Sequence, residues 1–486
     1  VDSVKISLIN PPFIQGFNRS VRGSGEAARG GTLYYPIWLS YAAGLLEEEH
    51  EVHLTDAQAK QWSHDTLVRD LTLKDPDLVI VDTNFSSLNH DINTVSLIKE
   101  QLPDTTTVVV GPPASQYTDV MLASKGVDIV AKYEYDYTLL EIASALESGK
   151  AIEKVRGISY REGSKIIHNP VRDFTTNEDL DKIPFVSKVY KKHLNINDYF
   201  LSSSLYPMVQ IFTGRGCPNK CTFCSWPQTL TGRTYRYRST SNLLDELEWI
   251  QNNLQVKEIF FEDDTFTVNK KRVIEFCQEY KNRGLKIAWS CNARANTLDL
   301  ETMHEMRRSN CRLLITGYES GSDEILKNIR KGVTVEQMQK FASNAKKARL
   351  MVHGDFIIGL PGETEETIEL TRKLIRELKP ELLQVLIPQP IPGTELYEWY
   401  KDNACLTCDD PNKYIDENGY QKPVISLPGL SQEEMVQVAN TTLKEYYLSL
   451  NYVPLVMRQI VRKNGLSELK RLYHSAKMFL GYVGEN

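Results

Sequence analysis

The chain has 486 residues, 41% of them hydrophobic and 25% charged, which is enough for two or three hydrophobic cores. A net charge of −6 supplies no basic face, so no nucleic-acid partner is expected. Eight cysteines are too few for a disulfide scaffold at this length, and the opening Val4–Ile9 reads as a strand rather than a secretory leader, so a cytoplasmic α/β protein with reduced thiols is expected.

Residues 1–145 alternate β-branched runs with helix-period runs. Strands are predicted at Val4–Ile9, Glu51–Leu54, Leu78–Val81, Thr107–Val110 and Ile129–Ala131, with helices over Leu39–Glu49, Asn93–Gln101 and Thr118–Ser124. That order predicts a doubly wound (Rossmann-like) parallel sheet, which binds ligands beyond the carboxyl ends of its strands. Those ends are Asn10-Pro11-Pro12, Asp82-Thr83-Asn84-Phe85-Ser86-Ser87, Gly111-Pro112-Pro113-Ala114-Ser115 and Tyr133-Glu134-Tyr135. Residues 146–205 read as a connector that contains a hairpin turning through Arg161-Glu162-Gly163-Ser164.

From 206 to 398 a second series begins, with strands near Val209–Thr213, Glu258–Glu262, Ala288–Asn292, Leu313–Tyr318, His353–Ile358 and Leu383–Ile387. Six strands separated by helices of about 12 to 20 residues predict a partial (β/α)6 TIM-type barrel with its chemistry at the strand ends. Residues 399–486 are expected to be mainly helical. In Leu455–Val461 and Leu466–Leu480, Arg458, Arg462, Lys470, Arg471 and Lys477 lie opposite apolar positions, which suits peripheral contact with the inner face of an anionic membrane or a solvated helix packed on the barrel.

The run Gly216-Cys217-Pro218-Asn219-Lys220-Cys221-Thr222-Phe223-Cys224 follows the first barrel strand. Cys217, Cys221 and Cys224 can hold three corners of a [4Fe-4S] cluster and leave one iron open. Structural zinc usually takes four ligands in two close pairs, and no fourth Cys or His follows at that spacing. With Phe223 before the third cysteine, the run resembles the signature of the radical S-adenosylmethionine (SAM) superfamily. The resemblance implies SAM on the open iron, an electron from a flavodoxin- or ferredoxin-type donor, and cleavage of SAM to a 5'-deoxyadenosyl radical. It also implies SAM contacts at the strand ends: Glu262 and Asp263 for the ammonium, and Asn292, Arg294, Glu319, Ser320, Ile357 and Gln384 for the ribose, carboxylate and adenine. A carboxylate such as Glu319 accepts from ribose hydroxyls, and Arg294 suits the methionine carboxylate. Taken singly, Asp263, Asp264 and Glu319 suit helix caps equally well.

A doubly wound sheet ahead of such a barrel resembles the cobalamin-binding subclass of that superfamily. The match rests on Asn10-Pro11-Pro12, on Gly111-Pro112-Pro113-Ala114-Ser115 in place of Gly-Gly-x-His-x, and on Tyr133-Glu134-Tyr135-Asp136-Tyr137-Thr138 in place of Gly-Glu-x-x-x-Thr. Pro113 and Tyr133 depart from the family form. The implied cobalamin contacts are Asn10, Pro12, Thr83, Ser86, Gly111, Pro112, Glu134 and Tyr135. A sheet that binds no cofactor is the alternative.

Several stretches, among them Cys224–Thr229, Tyr235–Ser239, Phe261–Phe266, Trp289–Ala293 and Gly317–Gly321, resemble the hopanoid-biosynthesis radical SAM proteins of cyclitol ether formation. That resemblance implies ring contraction with carbon–carbon bond formation on a lipid-linked sugar head group. The competing expectation is cobalamin-dependent methylation of an unactivated carbon on a small-molecule or lipid-linked substrate. A noncatalytic iron–sulfur scaffold or sensor is the reading from another class. Tyr235, Arg236 and Arg238 are candidate anchors for substrate phosphate, SAM or cobalamin. Tyr34, Tyr35 and Trp38 are candidates for the space over cobalt, and Cys405 and Cys408 form a lone Cys-x-x-Cys pair.

Overall fold

The structure is a computed structural model that describes residues 3–461, 468–473 and 477. Its amino-terminal sheet runs Glu51–Asp56, Lys5–Asn10, Leu78–Asp82, Thr106–Val110, Ile129–Ala131, then Ile158–Glu162 and Lys165–His168. The first five strands are parallel. Leu78–Asp82 is buried along its whole length, as a strand covered on both faces must be, which is why its sequence is a continuous apolar run. The hairpin assigned to the connector instead adds two antiparallel strands to this sheet. Two further helices complete the domain, His64–Lys74, which buries only Leu67 and Leu71, and Asp136–Glu147, whose Leu139, Ile142 and Ala143 face the core.

The second sheet is a partial barrel of six parallel strands: Met208–Ile211, Glu258–Phe261, Ala288–Ala293, Cys311–Glu319, Met351–Ile357 and Leu382–Leu386. Side-chain caps at Ser239, Asn269, Asp299, Thr334 and Thr364 start the helices that wrap it. Tyr318 meets Phe341 of the helix layer edge-on and packs at a tilt against Phe356, so those positions face outward. The alternate positions face the barrel interior. Leu313, Met351 and Leu382 plug the bottom of that interior with one apolar cluster.

The carboxy-terminal region departs from expectation. Between the helices Glu395–Asp402 and Gln432–Tyr447 the chain is largely irregular, tied by isolated bridges such as Leu406 to Ile425. That segment joins both domains: Asn89 N donates to Asn412 Oδ1 at 2.9 Å and Gln421 Nε2 to Ile387 O at 2.8 Å. Tyr447 OH meets Leu383 N and O at 2.7 and 2.8 Å, so the edge strand of the barrel is blocked. Arg471 is not on a solvated helix face. It is buried, 3.0 Å from Glu468, which in turn lies 2.8 Å from Arg312 at the base of the barrel. Arg458 lies 3.1 Å from Glu381, whereas Lys470 and Lys477 are exposed. Arg462 and most of Leu466–Leu480 lie outside the described residues. Among the described residues no helix is long and apolar enough to cross a membrane.

Candidate active site

The cysteine loop turns at Gly216, where φ is +84° and an added Cβ would lie 2.2 Å from Thr234 O. The loop backbone is pinned from several sides. Thr222 N donates to Ile329 O at 3.1 Å, Gln228 Nε2 to Cys224 O at 2.7 Å, and Arg233 to the carbonyls of Asn219 and Cys221. Cys217, Cys221 and Cys224 are free thiols in one neighbourhood. Burial pushes the Cys224 thiol up, Asp264 and Cys221 add to this, Arg22 opposes it, and Cys217 adds further. Metal ions shared among the three sulfurs would relieve that repulsion. Cations already surround the loop: Arg294 Nη1 lies 3.6 Å from Cys221 Sγ. Burial alone would lower the Lys331 ammonium, yet Glu319 and Cys221 hold it raised. This donor set fits an anionic [4Fe-4S] cluster.

Beside the loop, Lys331 Nζ donates to Glu319 Oε1 at 2.6 Å and lies 5.6 Å from the Phe223 ring centroid. Ile357 packs with Ile325, Ile329 and Leu360 against Phe223, giving an apolar shelf next to these charges. Phe223, Arg294, Glu319 and Ile357 therefore come together around the cysteines. Charged groups beside an apolar shelf fit SAM, whose amino-acid end is charged and whose adenine is flat. Glu262 and Asn292 line the barrel interior; Asn292 Nδ2 donates to Asp263 O at 2.8 Å, and Glu262 Oε2 accepts from Gln210 at 2.8 Å. Gln384 faces the same interior and is exposed there.

Two expected SAM contacts are corrected. The Asp263 side chain is fully buried and already accepts from Thr213 N, Thr213 Oγ1 and Tyr235 OH, at 2.6, 2.6 and 2.8 Å. Ser320 is buried against the helix layer, 3.3 Å from Thr371 Oγ1. Arg236 and Arg238 are likewise structural, each in a buried ion pair, with Glu134 at 2.7 Å and with Glu246. Arg22, Gln228, Arg233 and Lys331 escaped sequence reasoning. Two carried a signal: Gln228 lies in the Cys224–Thr229 stretch, and Arg22 lies in residues 13–35, which are rich in Gly and Arg.

Above the barrel, a small pocket is lined by Arg19, Trp38, Asp82, Gly111, Pro112 and Tyr135 of the amino-terminal domain and by Trp226 and Leu230 beyond the cysteine loop. It lies at strand ends beside the switch in strand order between Lys5–Asn10 and Leu78–Asp82. Gly111 has φ +117°, and a Cβ there would meet Thr83 O at 2.2 Å. Tyr135 OH and Trp38 Nε1 are buried without a partner. Unspent buried donors of this kind call for a polar ligand, and they stand at the switch point where the polar edge of cobalamin would be received.

Other expected contacts are spent within the chain. Asn10 Nδ2 donates to Asp56 at 2.9 Å and Asn10 Oδ1 accepts from Arg19 at 3.0 Å, Ser86 Oγ donates to Ser24 Oγ at 3.1 Å, and Pro12 O accepts from His90 Nε2 at 2.9 Å. Glu134 serves the domain interface through Arg236. Tyr133 has φ +61°, which accounts for the glycine the family form carries there. Tyr35 is fully buried in the core, with its OH donating to Met208 O at 2.9 Å, rather than over a cofactor.

A three-thiolate loop at the mouth of a six-stranded partial barrel, facing the switch point of a doubly wound sheet, defines a cobalamin-dependent radical SAM enzyme. The radical SAM superfamily model matches residues 211–375 and the B12 binding domain model residues 26–143. An uncharacterized methyltransferase of Pyrococcus horikoshii is 31% identical over 482 residues, covering 97% of this chain and 99% of the relative. The chain belongs to the radical SAM superfamily, in the branch that carries a B12-binding domain ahead of the barrel, and its cofactors are a [4Fe-4S] cluster, SAM and cobalamin. The anaerobic magnesium-protoporphyrin IX monomethyl ester cyclase of Cereibacter sphaeroides is 26% identical, over 87% of this chain and 69% of its own. In fold, the chain is similar to the radical SAM methyltransferase TsrM of Kitasatospora setae, solved with cobalamin and a [4Fe-4S] cluster: TM-score 0.71, 15% identity, 99% of this chain and 100% of that one. The resemblance to cyclitol ether proteins, and the ring contraction it implied, find no support in these relatives.

Proposed function

We propose that the enzyme transfers a methyl group to an unactivated carbon of its substrate, in place of the ring contraction first expected. The observation that carries this reading is the relationship, over 99% of its length, to a protein named as a methyltransferase. Geometry agrees with it, because Trp226, two residues beyond Cys224, forms one wall of the pocket that Gly111 and Tyr135 line from the other domain. Cofactors bound at these two places would share that wall, as a transfer between them requires.

When bound, SAM with the cluster and cobalamin supplies the radical and methyl chemistry. The chain's own residues hold and orient. Cys217, Cys221 and Cys224 would ligate the cluster, Arg294 and Lys331 would balance its charge, Glu319 would accept hydrogen bonds from SAM, and Tyr135 and Trp38 would donate to the corrin's polar edge. A flavodoxin- or ferredoxin-type protein delivers the electron.

The test is anaerobic reconstitution with iron, sulfide, SAM and cobalamin, followed by mass analysis of candidate substrates. A product about 14 mass units heavier supports methyl transfer, and an isomer of the substrate overturns it. Replacing Cys217, Cys221 or Cys224 by alanine should abolish 5'-deoxyadenosine formation. A protein that forms neither 5'-deoxyadenosine nor a heavier product, with cluster and SAM bound, is a scaffold or sensor instead.

A further inference from the structure

The outer side of the cysteine loop carries positive charge that the chain itself does not neutralise. Asn219 is half-buried and its Nδ2 lies 3.2 Å from Cys217 Sγ, so a single side chain leads from a cluster ligand to solvent. Around it Pro218 and Lys220 are exposed, and the half-buried Arg233 bonds the carbonyls on either side of Lys220, those of Asn219 and Cys221. We propose that an acidic one-electron carrier protein docks on this face and reduces the cluster through it. The inference rests on the radical SAM reading, in which the cluster takes an electron from a flavodoxin- or ferredoxin-type donor, and it names the surface that donor meets. In that step the carrier loses one electron and the cluster gains it, with no bond made or broken.

Charge decides the kind of partner. The buried cations beside the loop are engaged within the chain: Arg294 Nη1 lies 3.6 Å from Cys221 Sγ, and Lys331 pairs with Glu319 at 2.6 Å. On the outside, Thr222 N donates to Ile329 O at 3.1 Å, which brings the exposed Arg330 next to the loop, and Arg330 N donates to Lys327 O at 2.9 Å. Arg330 pairs with Glu395, whereas Lys220, Arg233 and Lys327 form no ion pair among the described residues. Asp323 and Glu324 occupy the first turn of the helix Asp323–Asn328, and Lys327 its last. Unpaired cations on a chain of net charge −6 make a local field opposite in sign to the whole. Such a patch steers an acidic partner to this face and fixes its orientation there. Another group of lysines lies elsewhere, on the helix Val186–His193. Its Lys191 Nζ is 5.6 Å from the ring centroid of Trp249, near the carboxyl end of the helix Thr240–Asn253, which leads into the base of the barrel strand Glu258–Phe261.

The test follows reduction of the cluster itself, by freeze-quench electron paramagnetic resonance, in the anaerobically reconstituted enzyme with flavodoxin hydroquinone as the probe. The rate should fall as salt is raised, because salt screens exposed charges. Lys220→Glu combined with Lys327→Glu should slow reduction about tenfold at low salt and flatten its salt dependence. Excess dithionite, a small reductant that needs no docking face, should still reduce as much cluster in this variant as in the parent. Lys191→Glu, toward the base of the barrel, should leave the flavodoxin rate unchanged. A rate in the unmodified enzyme that is indifferent to salt overturns the proposal with no variant needed. So does a double variant reduced by flavodoxin at the parent's rate, or an equal slowing by Lys191→Glu. Loss of the dithionite-reducible cluster overturns it as well, since the lysines would then serve the cluster rather than a partner. No substrate is present, so failure of the methyl-transfer reading shows separately, as the absence of a heavier product.

Discussion

The guanidinium of Arg22, on the loop that covers the first sheet, bonds the carboxylate of Asp264 at the end of the second barrel strand. The same group reaches Glu262 Oε1 at 3.1 Å, bonds the Glu262 carbonyl, and lies 4.1 Å from the Trp226 ring centroid. A cation from one domain thus occupies acceptors of the other at the strand end expected to receive the SAM ammonium. An ammonium arriving there has to displace it. Arg22→Gln is expected to lower the dissociation constant for SAM about tenfold, measured by anaerobic equilibrium dialysis. A weaker complex would instead mean that Arg22 shapes the strand end for binding.

The domain interface depends on a different kind of pair. Arg215, just past the first barrel strand, bonds both oxygens of Asp136 at 2.6 and 3.1 Å, with both side chains only 1% exposed. Removing one partner leaves the other charge buried and uncompensated. Asp136→Asn should cost about 3–5 kcal/mol, read as a fall in urea midpoint. The exposed pair Arg156–Asp173, at 2.9 Å with side chains 49% and 87% exposed, is the control, and Asp173→Asn should change stability by less than ~1 kcal/mol.

Much of this arrangement was legible in the sequence, and the exceptions share a cause. The barrel strands are short runs that are either largely apolar or, as in Ala288–Ala293 and Met351–Ile357, apolar at alternate positions, and the cysteine spacing marks its loop without help from tertiary context. Position at a strand end, however, does not say which way a side chain points. Glu262 and Asp263 are adjacent and point to opposite sides, so one lines the barrel interior while the other is locked to Thr213. Glu319 and Ser320 divide in the same way. Arg471 matched a solvated helix face in pattern, yet it is buried because Glu468 and Arg312 complete a network that no local window contains. Lys331 gave no signal, since its partner Glu319 lies in a different element.

Asp82 gives the protein a pH dependence with a definite sign. Burial pushes its carboxyl from 3.8 to about 7, with Arg19 opposing and Asp91 adding. Between those values the folded chain keeps a proton that the unfolded chain has released. The stability this group contributes is therefore full below pH 3.8 and is lost as pH rises through about 7, by up to ~4 kcal/mol. Asp82→Asn keeps the shape and removes the titration. In the cofactor-free protein, the urea midpoint of the variant should fall less from about pH 5 to about pH 7.5 than that of the parent. Parallel profiles would show that Asp82 does not hold its proton.

Gly111 tests whether the switch point serves the cofactor. Its φ of +117° lies outside the range L-residues favour, and the 2.2 Å approach of a Cβ to Thr83 O leaves no relaxed position for a methyl group. Gly111→Ala must shift either the Thr83 backbone, next to Asp82, or the turn into Pro112, and Asp82 and Pro112 line the pocket with Tyr135 and Trp38. The strain should cost about 1–3 kcal/mol. Bound cobalamin, measured from the absorbance of the anaerobically reconstituted protein, should fall severalfold. Gly149→Ala is the matched control. That glycine also has positive φ, +59°, but an added Cβ there meets nothing within 4 Å. It should show a comparable or smaller loss of stability with full cobalamin retention. Equal retention by the two variants would mean that the Gly111 turn is needed for folding alone, and that the corrin is held elsewhere on the sheet.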